Sequence, residues 1–497
     1  MGFYEAQLVV LGLFCAASLL LEKYASNPKQ IGTTDGENSG SGWKLSKGES
    51  PGYKGLMHKY LTVYAIVMGA DWLQGPYVYS LYHEQYVFSE KIIAILFVTG
   101  FTSAGVFAPL VGVWADQQSI LVYSGRKRLC LYFCLSYAGA CLCMLIPKLP
   151  ILLMGRVLGG LSTSILFSCF ESWLMGSSSS LGVSQSELSN IMGRATLLNG
   201  FIATAAGVVS NELVARTSNF LSPFMASALL LGLAWLVIRK MWDENFGGDQ
   251  HEAGAEGLFQ LGRLKKAWSI VGSDTALLTL GFTQTCFEGS MYLFVFLWVP
   301  SLQEASPLHV PLPLGYIFSS FMISMMLGSL GYTCIVANLP SGSDNLPRSN
   351  GHSKSKETQQ DSRLVVHAKL SSLVCAMAAL ALALAVRSEN EHVRFWAFCL
   401  FEGCVGMYYP VQGMLRGALI PEDHRATLSS LFRVPLNVFV TVSLLTGVSS
   451  ARKLVFTGCA LVLSLSSLCT GLVVVRRAIS GELKFSYGGT NGDFRSA

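Results

Sequence analysis

Six charged side chains, Asp71, Arg156, Glu171, Glu288, Glu402 and Arg433, stand inside long apolar runs, with Arg194 and Lys369 at the ends of two more. A charge facing hydrocarbon costs at least about 2.5–3.5 kcal/mol on insertion scales, so such groups persist where they share a paired or wet interior. Their types suit the handling of anions. Arg156 and Arg433 can hold an oxyanion through forked hydrogen bonds, with Arg194 as a further candidate, while Asp71, Glu288 and Glu171 can balance that charge or exchange a proton. Arg156 has an alternative: it follows Pro150 by a few residues and could lay its stem along apolar surface with its head at the lipid headgroups.

Around Arg156 the stretch Gly155 to Trp173 has the length and apolarity of a spanning helix. Gly155, Gly159 and Thr163 recur every four residues and form a thin edge on which a second helix can lie. Arg156, Gly160, Thr163 and Phe167 share one sector of the same helix, which reads as a polar path beside a packed face. Gly75-Pro76, one turn after Asp71, and Pro435 near Arg433 can interrupt helices and free backbone groups to line a cavity.

Other chemistries find no residues. The eight histidines show no metal-ligand spacing, and there is neither a phosphate-cradling Gly loop nor a nucleophile with its base. No enzyme activity, cofactor or metal is expected. None of the thirteen cysteines forms a C-x-x-C pair, and in apolar runs thiols act as small hydrophobes. With no ATP-binding module in evidence, uphill transport must draw on an ion gradient or a partner.

The elements that must position these charges are transmembrane helices. Of 497 residues, 51% are hydrophobic and 13% charged, and the mean hydropathy is +0.46, values that a soluble globular chain of this length rarely reaches. A first apolar run, about Ala6 to Leu21, lacks the basic leader and cleavage site of a signal peptide and reads as a retained helix with its N-terminus outside. Twelve further segments follow, each near the roughly 20 residues a bilayer requires. They fall at about Leu61–Leu81, Ile92–Trp114, Leu129–Ile146, Ile151–Met175, Ala195–Leu213, Leu221–Arg239, Ala276–Val299, Leu314–Ala337, Val365–Val386, Phe395–Leu415, Thr427–Val448 and Leu454–Val475. The loop Pro340 to Arg363 reads as disordered.

Lys and Arg set the orientation. With the linker, the central loop and the C-terminus inside, about 25 basic residues lie in inner loops against about 7 in outer ones. The net charge of +5 is therefore a mark of topology and not of nucleic-acid binding. The expected organisation is an N-terminal transmembrane helix over residues 1–22, a cytoplasmic linker over 23–59, a six-helix half over 60–240, a central cytoplasmic loop over 241–270, a second half over 271–478 and a tail over 479–497. Two matches support duplication. The fifth core segment carries Arg194 and Asn199 where the eleventh carries Arg433 and Asn437, and the first helix of each half carries an acid, Asp71 or Glu288.

Several strings carry a resemblance. Gly112-Val-Trp-Ala-Asp116 followed by Gly125-Arg126-Lys127 resembles the G-x-x-x-D-x-x-G-R-K loop of the major facilitator superfamily, and Gly155-Arg156-Val-Leu-Gly159 resembles its fourth-helix motif. Gln117 to Ser124 is an insertion against that pattern and puts the usual charge relay of the loop in doubt. Ala70-Asp71-Trp72-Leu73-Gln74, Phe287-Glu288, Phe294-Val-Phe-Leu-Trp298, Ile317 to Met322 and Phe432-Arg433-Val434-Pro435-Leu436 resemble the molybdate-anion transporters of that superfamily, over about Met57 to Val475. The resemblance implies an all-α fold of two six-helix halves plus one N-terminal helix, in a multi-pass carrier that brings molybdate across the plasma membrane by alternating access. Its partners would be the molybdate oxyanion, the lipid bilayer and a coupling proton. Two alternatives remain open: a carrier for sulfate, phosphate or a sugar, and a receptor or scaffold that has kept the fold without transport.

Overall fold

The computed structural model describes residues 2–25, 52–116, 125–245, 269, 271–272, 274–306, 311–337, 354–420, 425–445 and 451–480. Among these residues every regular element is helical. Thirteen long helices follow one another: α1 Phe3–Ala25, α2 Tyr53–Gln74, α3 Glu90–Asp116, α4 Arg126–Cys143, α5 Leu149–Ser180, α6 Gln185–Thr217, α7 Ser222–Met241, α8 Thr275–Ala305, α9 Leu314–Ala337, α10 Lys354–Arg387, α11 Glu391–Leu419, α12 Arg425–Leu445 and α13 Arg452–Cys469. A π-helical turn, Thr470–Val475, continues α13 to Arg476–Ile479.

Local chemistry sets many helix starts. Ser184 and Glu187 close a capping box at α6, Asp274 accepts from the N–H of Ala276 at α8, and Asn390 accepts from His392 and Val393 at α11. Pro150 and Pro223 stand in the first turns of α5 and α7, where no N–H partner is lost. Gly75-Pro76 does end α2, and the chain continues through a 3-10 turn, Gly75–Tyr77, and a π turn, Leu81–Gln85. Pro435 behaves differently, because α12 runs through it.

One expectation is corrected. The stretch Pro340 to Arg363 is not all loop, since α10 begins at Lys354; its first residues, rich in Lys, Glu and Gln, favour a helix that extends beyond the apolar span.

Nine helices among the described residues are long and apolar enough to cross a membrane, as in a multi-pass membrane protein. Helices α2, α4 and α11 fall outside that group because polar and charged residues interrupt their apolar runs, and α12 because its described apolar part is short. Asp71 lies in α2, Arg126 to Arg128 open α4, and Glu402 and Arg416 lie in α11, while the described part of α12 is a shorter apolar helix, Phe432–Leu445, with Arg433 in second place. Helix α1 buries Tyr4, Leu11 and Cys15 and exposes Val9, Val10, Leu13, Phe14, Leu20 and Leu21, as suits a helix with lipid on most sides.

The chain divides into two units, Met1–Leu258 with Pro311–Ile323, and Phe259–Val310 with Ser324–Ala497. Within the first, α2 packs on α6 and α7, α4 on α5 and α7, and α3 on α5. Within the second, α8 packs on α12 and α13, and α10 on α11 and α13. Helix α9 meets α11 where Gly328 lies against the backbone of Gly403, and Gly406 against that of Met325. Counted from the first core helix of each set of six, the five neighbour pairs are the same.

Candidate functional site

In the first unit the charges named from sequence form no ion pair with one another among the described residues, but they share neighbours: Asp71 and Arg156 both act on Tyr137, and Asp71 and Glu171 on Tyr64. Asp71 accepts a hydrogen bond from the Tyr137 hydroxyl at 2.5 Å. Next to it, Trp72 donates its indole N–H to Asn199 Oδ1 at 2.8 Å, which joins α2 to α6. Tyr64, seven residues before Asp71, stands in the electrostatic field of both Asp71 and Glu171. Glu171 itself is half-buried and has no ion pair among the described residues.

Arg156 is clamped between aromatic rings. Its guanidinium carbon lies 5.1 Å from the ring centre of Tyr82 and 4.9 Å from that of Phe97, within cation–π range. Nε and Nη2 are buried and have no hydrogen-bond partner among the described residues. These two nitrogens form one edge of the guanidinium, the fork that matches two oxygens of an oxyanion. Arg194 differs: it is exposed, with Nε on Asn190 Oδ1 at 3.2 Å and Nη1 on Met57 Sδ at 3.1 Å.

The thin edge of α5 is built differently from its four-residue spacing. A Cβ on Gly155 would meet Cys143 of α4, whereas one on Gly159 would meet nothing within 4 Å. Gly160 carries the close crossing, against Ser103, Ala104 and the carbonyl of Gly100 in α3. Gly160 thus faces a packed helix, and Phe167 is exposed.

In the second unit Glu288 gathers several partners. Its Oε1 lies 3.8 Å from Arg416 Nη2 and 3.4 Å from the Tyr408 hydroxyl, and Gln284 donates to its Oε2 at 3.3 Å. Phe287 stacks on Tyr408 at 3.9 Å with an interplanar angle of 2°. Arg433 is exposed, without an ion pair among the described residues, but its charge reaches Glu288 and Tyr292. Glu402 is buried without an ion pair among the described residues, and Lys369 is exposed.

The loop motif is held by a short segment that follows α7. Glu244 accepts from the N–H of Lys127 at 2.8 Å and faces Arg128 at 3.9 Å, and Gly125 leaves no room for a Cβ beside it. The N–H of Arg126 donates to Asn245 O at 3.1 Å, and Asn245 Nδ2 donates to Trp173 O and Ser177 Oγ, both at 2.8 Å. Trp242 stacks on Trp173 at 3.7 Å and donates to Lys59 O at 3.1 Å. Gly112 and Asp116 close α3, but their side-chain surroundings, like the insertion Gln117 to Ser124, lie outside the described residues.

Sequence reasoning missed Arg416, Tyr137, Gln284 and Arg394. Arg416 falls one residue beyond the expected span Phe395–Leu415, yet four residues after Gln412 on the same helix, a spacing that keeps it on one face. Tyr137 had only its hydroxyl in an apolar run as a signal. Arg394 is 3% exposed and donates to the carbonyls of Ser301 and Ser388 at 2.5 and 2.8 Å, closing the end of α8 beyond Pro300.

A family profile described as sugar transporters with 12 TM matches residues 39–339. The molybdate-anion transporter of Xenopus laevis is 32% identical over 428 residues, covering 84% of this chain and 86% of that protein. That of Danio rerio is 32% identical over 415 residues and covers 80% of each. Among solved structures, a point-mutant form of the peptide transporter POT aligns with a TM-score of 0.64 at 13% identity, covering 89% of this chain and 97% of its own. A point-mutant form of the nucleoside transporter NupG aligns at 0.60 and 10% identity, covering 86% of this chain and 99% of its own. These two show the major facilitator fold of two six-helix halves, here preceded by α1. From the relatives' identity and coverage, the chain belongs to the molybdate-anion transporter family of the major facilitator superfamily.

Proposed function

We propose that this chain is a secondary active transporter that imports molybdate with high affinity across the plasma membrane by alternating access. The observation that carries the reading is the Arg156 guanidinium: held beside Tyr82 and Phe97, it leaves Nε and Nη2 buried and without a hydrogen-bond partner among the described residues. Ordering that fork adds little entropic cost when a tetrahedral dianion arrives. The names of the vertebrate relatives support the choice of oxyanion.

In this reading Arg433 supplies a second contact and Arg194 a third. Asp71, Glu288 and Glu171 balance charge, and Asp71 or Glu288 carries a coupling proton. The segment Gly112, Asp116, Gly125, Arg126 and Lys127 forms the conformational motif. The experiment is uptake of molybdate at nanomolar concentration into cells, with wild type and the Arg156→Gln and Arg433→Gln variants matched for surface protein and with sulfate in excess. Uptake that needs both arginines and resists sulfate supports the reading; absence of wild-type uptake rejects it.

A sugar carrier is the second reading, because the matching family profile is so described and Trp72 and Asn199 offer the stacking and hydrogen bonding a sugar uses. Sugar uptake that survives loss of Arg156 would favour it.

A further inference from the structure

We infer that Arg416 is an anion-binding guanidinium whose place is held by the Glu288 carboxylate when no anion is bound, so that the oxyanion displaces Glu288 and the freed carboxylate takes up a proton. The inference rests on the reading of the cargo as an oxyanion.

The geometry around Glu288 is that of a carboxylate surrounded by donors and held closely by none. Arg416 Nη2 stands at 3.8 Å, Tyr408 at 3.4 Å and Gln284 at 3.3 Å, all beyond the distance of a strong charge-assisted bond. Arg416 is loosely held on its other side too, with Nε 3.4 Å from Gln412 O. The side chains keep 24% and 12% of their exposure, so the pair is not sealed. By contrast Tyr408 is fully buried and fixed by the stack on Phe287, a rigid wall beside a weak pair.

Charge counting points the same way. Arg416 and Arg433 both act on Glu288, which leaves one positive charge in excess around the carboxylate. Tyr292 on α8 and Tyr408 and Tyr409 on α11 are neutral donors in the same field. The remaining acid of the group is Glu402, on α11, whose charge reaches Tyr409. Helix α10 contributes Cys375, and α13 contributes Cys459 and Cys469, beside Cys286 on the same helix as Glu288. With Glu288 displaced and protonated, a dianion matches the two guanidinium charges, which one carboxylate does not.

When the anion engages Arg416, Glu288 loses its cation and its ionised form becomes expensive in apolar surroundings. It then takes one proton from water, and gives it back when the anion leaves and Arg416 returns. Competition of this kind raises the apparent dissociation constant of the anion by the strength of the internal pair, and protonation of Glu288 removes the competitor. Affinity for the anion therefore rises as pH falls.

The test is initial-rate uptake of radiolabelled molybdate by the full-length chain in proteoliposomes, with KM measured across about pH 6 to 7.5, the range into which removal from water can bring a carboxylate that has lost its cation. Wild type should show KM falling with pH. Glu288→Gln should show a lower KM that no longer depends on pH, and Arg416→Gln a KM raised roughly 10-fold or more, as loss of a charge-assisted hydrogen bond requires. The double variant Glu288→Gln with Arg416→Gln, which leaves no buried unpaired charge, should keep the raised KM without pH dependence and guards against a folding defect in the single variant. An unchanged KM in Arg416→Gln, or wild-type pH dependence in Glu288→Gln, overturns the inference. If wild type carries sulfate or phosphate instead, with the same pattern of KM, the molybdate reading fails and the inference stands; if it carries no anion, both fall.

Discussion

Tyr137 of α4 donates its hydroxyl proton to Oδ1 of Asp71 in α2 across 2.5 Å, and no ion pair accompanies that bond at Asp71 among the described residues. A carboxyl at this depth thus leans on one neutral donor. Tyr137→Phe removes it and is expected to lower stability by about 1–3 kcal/mol, the cost of leaving a buried polar group unsatisfied. Thermal unfolding of the detergent-solubilised protein checks this, and Asp71→Asn, which can still accept the bond, should be affected less.

At Arg156 the shape of the head matters as well as its charge. Arg156→Lys keeps the cation and loses the planar fork and the ring stacking, so molybdate uptake should fall roughly 10- to 100-fold at equal surface protein. Arg433→Gln should abolish uptake with normal surface protein. Uptake by Arg156→Lys equal to wild type would show that only a point charge is needed there.

The adjacent glycines of α5 give a sharp contrast. Gly160→Ala places a methyl group against Ser103 and the backbone of Ala104, and overpacking at a close crossing costs about 1–3 kcal/mol. Gly159→Ala meets open space and should be neutral or slightly stabilising. Unfolding temperatures of the two variants, measured side by side, decide whether the crossing is tight.

The segment after α7 should behave as a fastener for the starts and ends of its neighbours. Trp242, 1% exposed, stacks on Trp173 and reaches Lys59, so Trp242→Ala should cost about 3–5 kcal/mol. Gly125→Ala should destabilise by driving Glu244 from the Lys127 N–H. Limited proteolysis between α7 and α8, compared across wild type and both variants, reports release of the segment.

Much of the fold could be read along the chain because its causes are local. The span of a bilayer fixes helix length, caps such as Ser184 with Glu187 and Asn390 fix starts, and Gly75-Pro76 fixes the end of α2. The duplicated acids Asp71 and Glu288 were visible as charges in apolar runs. Residue type also named Arg156 and Arg433 as candidate anion ligands, with Arg194 after them.

Partners were decided by tertiary structure. Asp71 meets Tyr137, 66 residues away, and Glu288 meets Tyr408, 120 residues away. No periodicity along one helix states which face of another will lie against it. The same limit explains the choice of Arg416 over Arg433 as the ion partner of Glu288: both arginines act on it, and only the packing of α11 on α8 brings one guanidinium to 3.8 Å. At Gly159 and Gly160 the sequence established that small residues were present, and the direction from which α3 crosses α5 determined which of the two was needed.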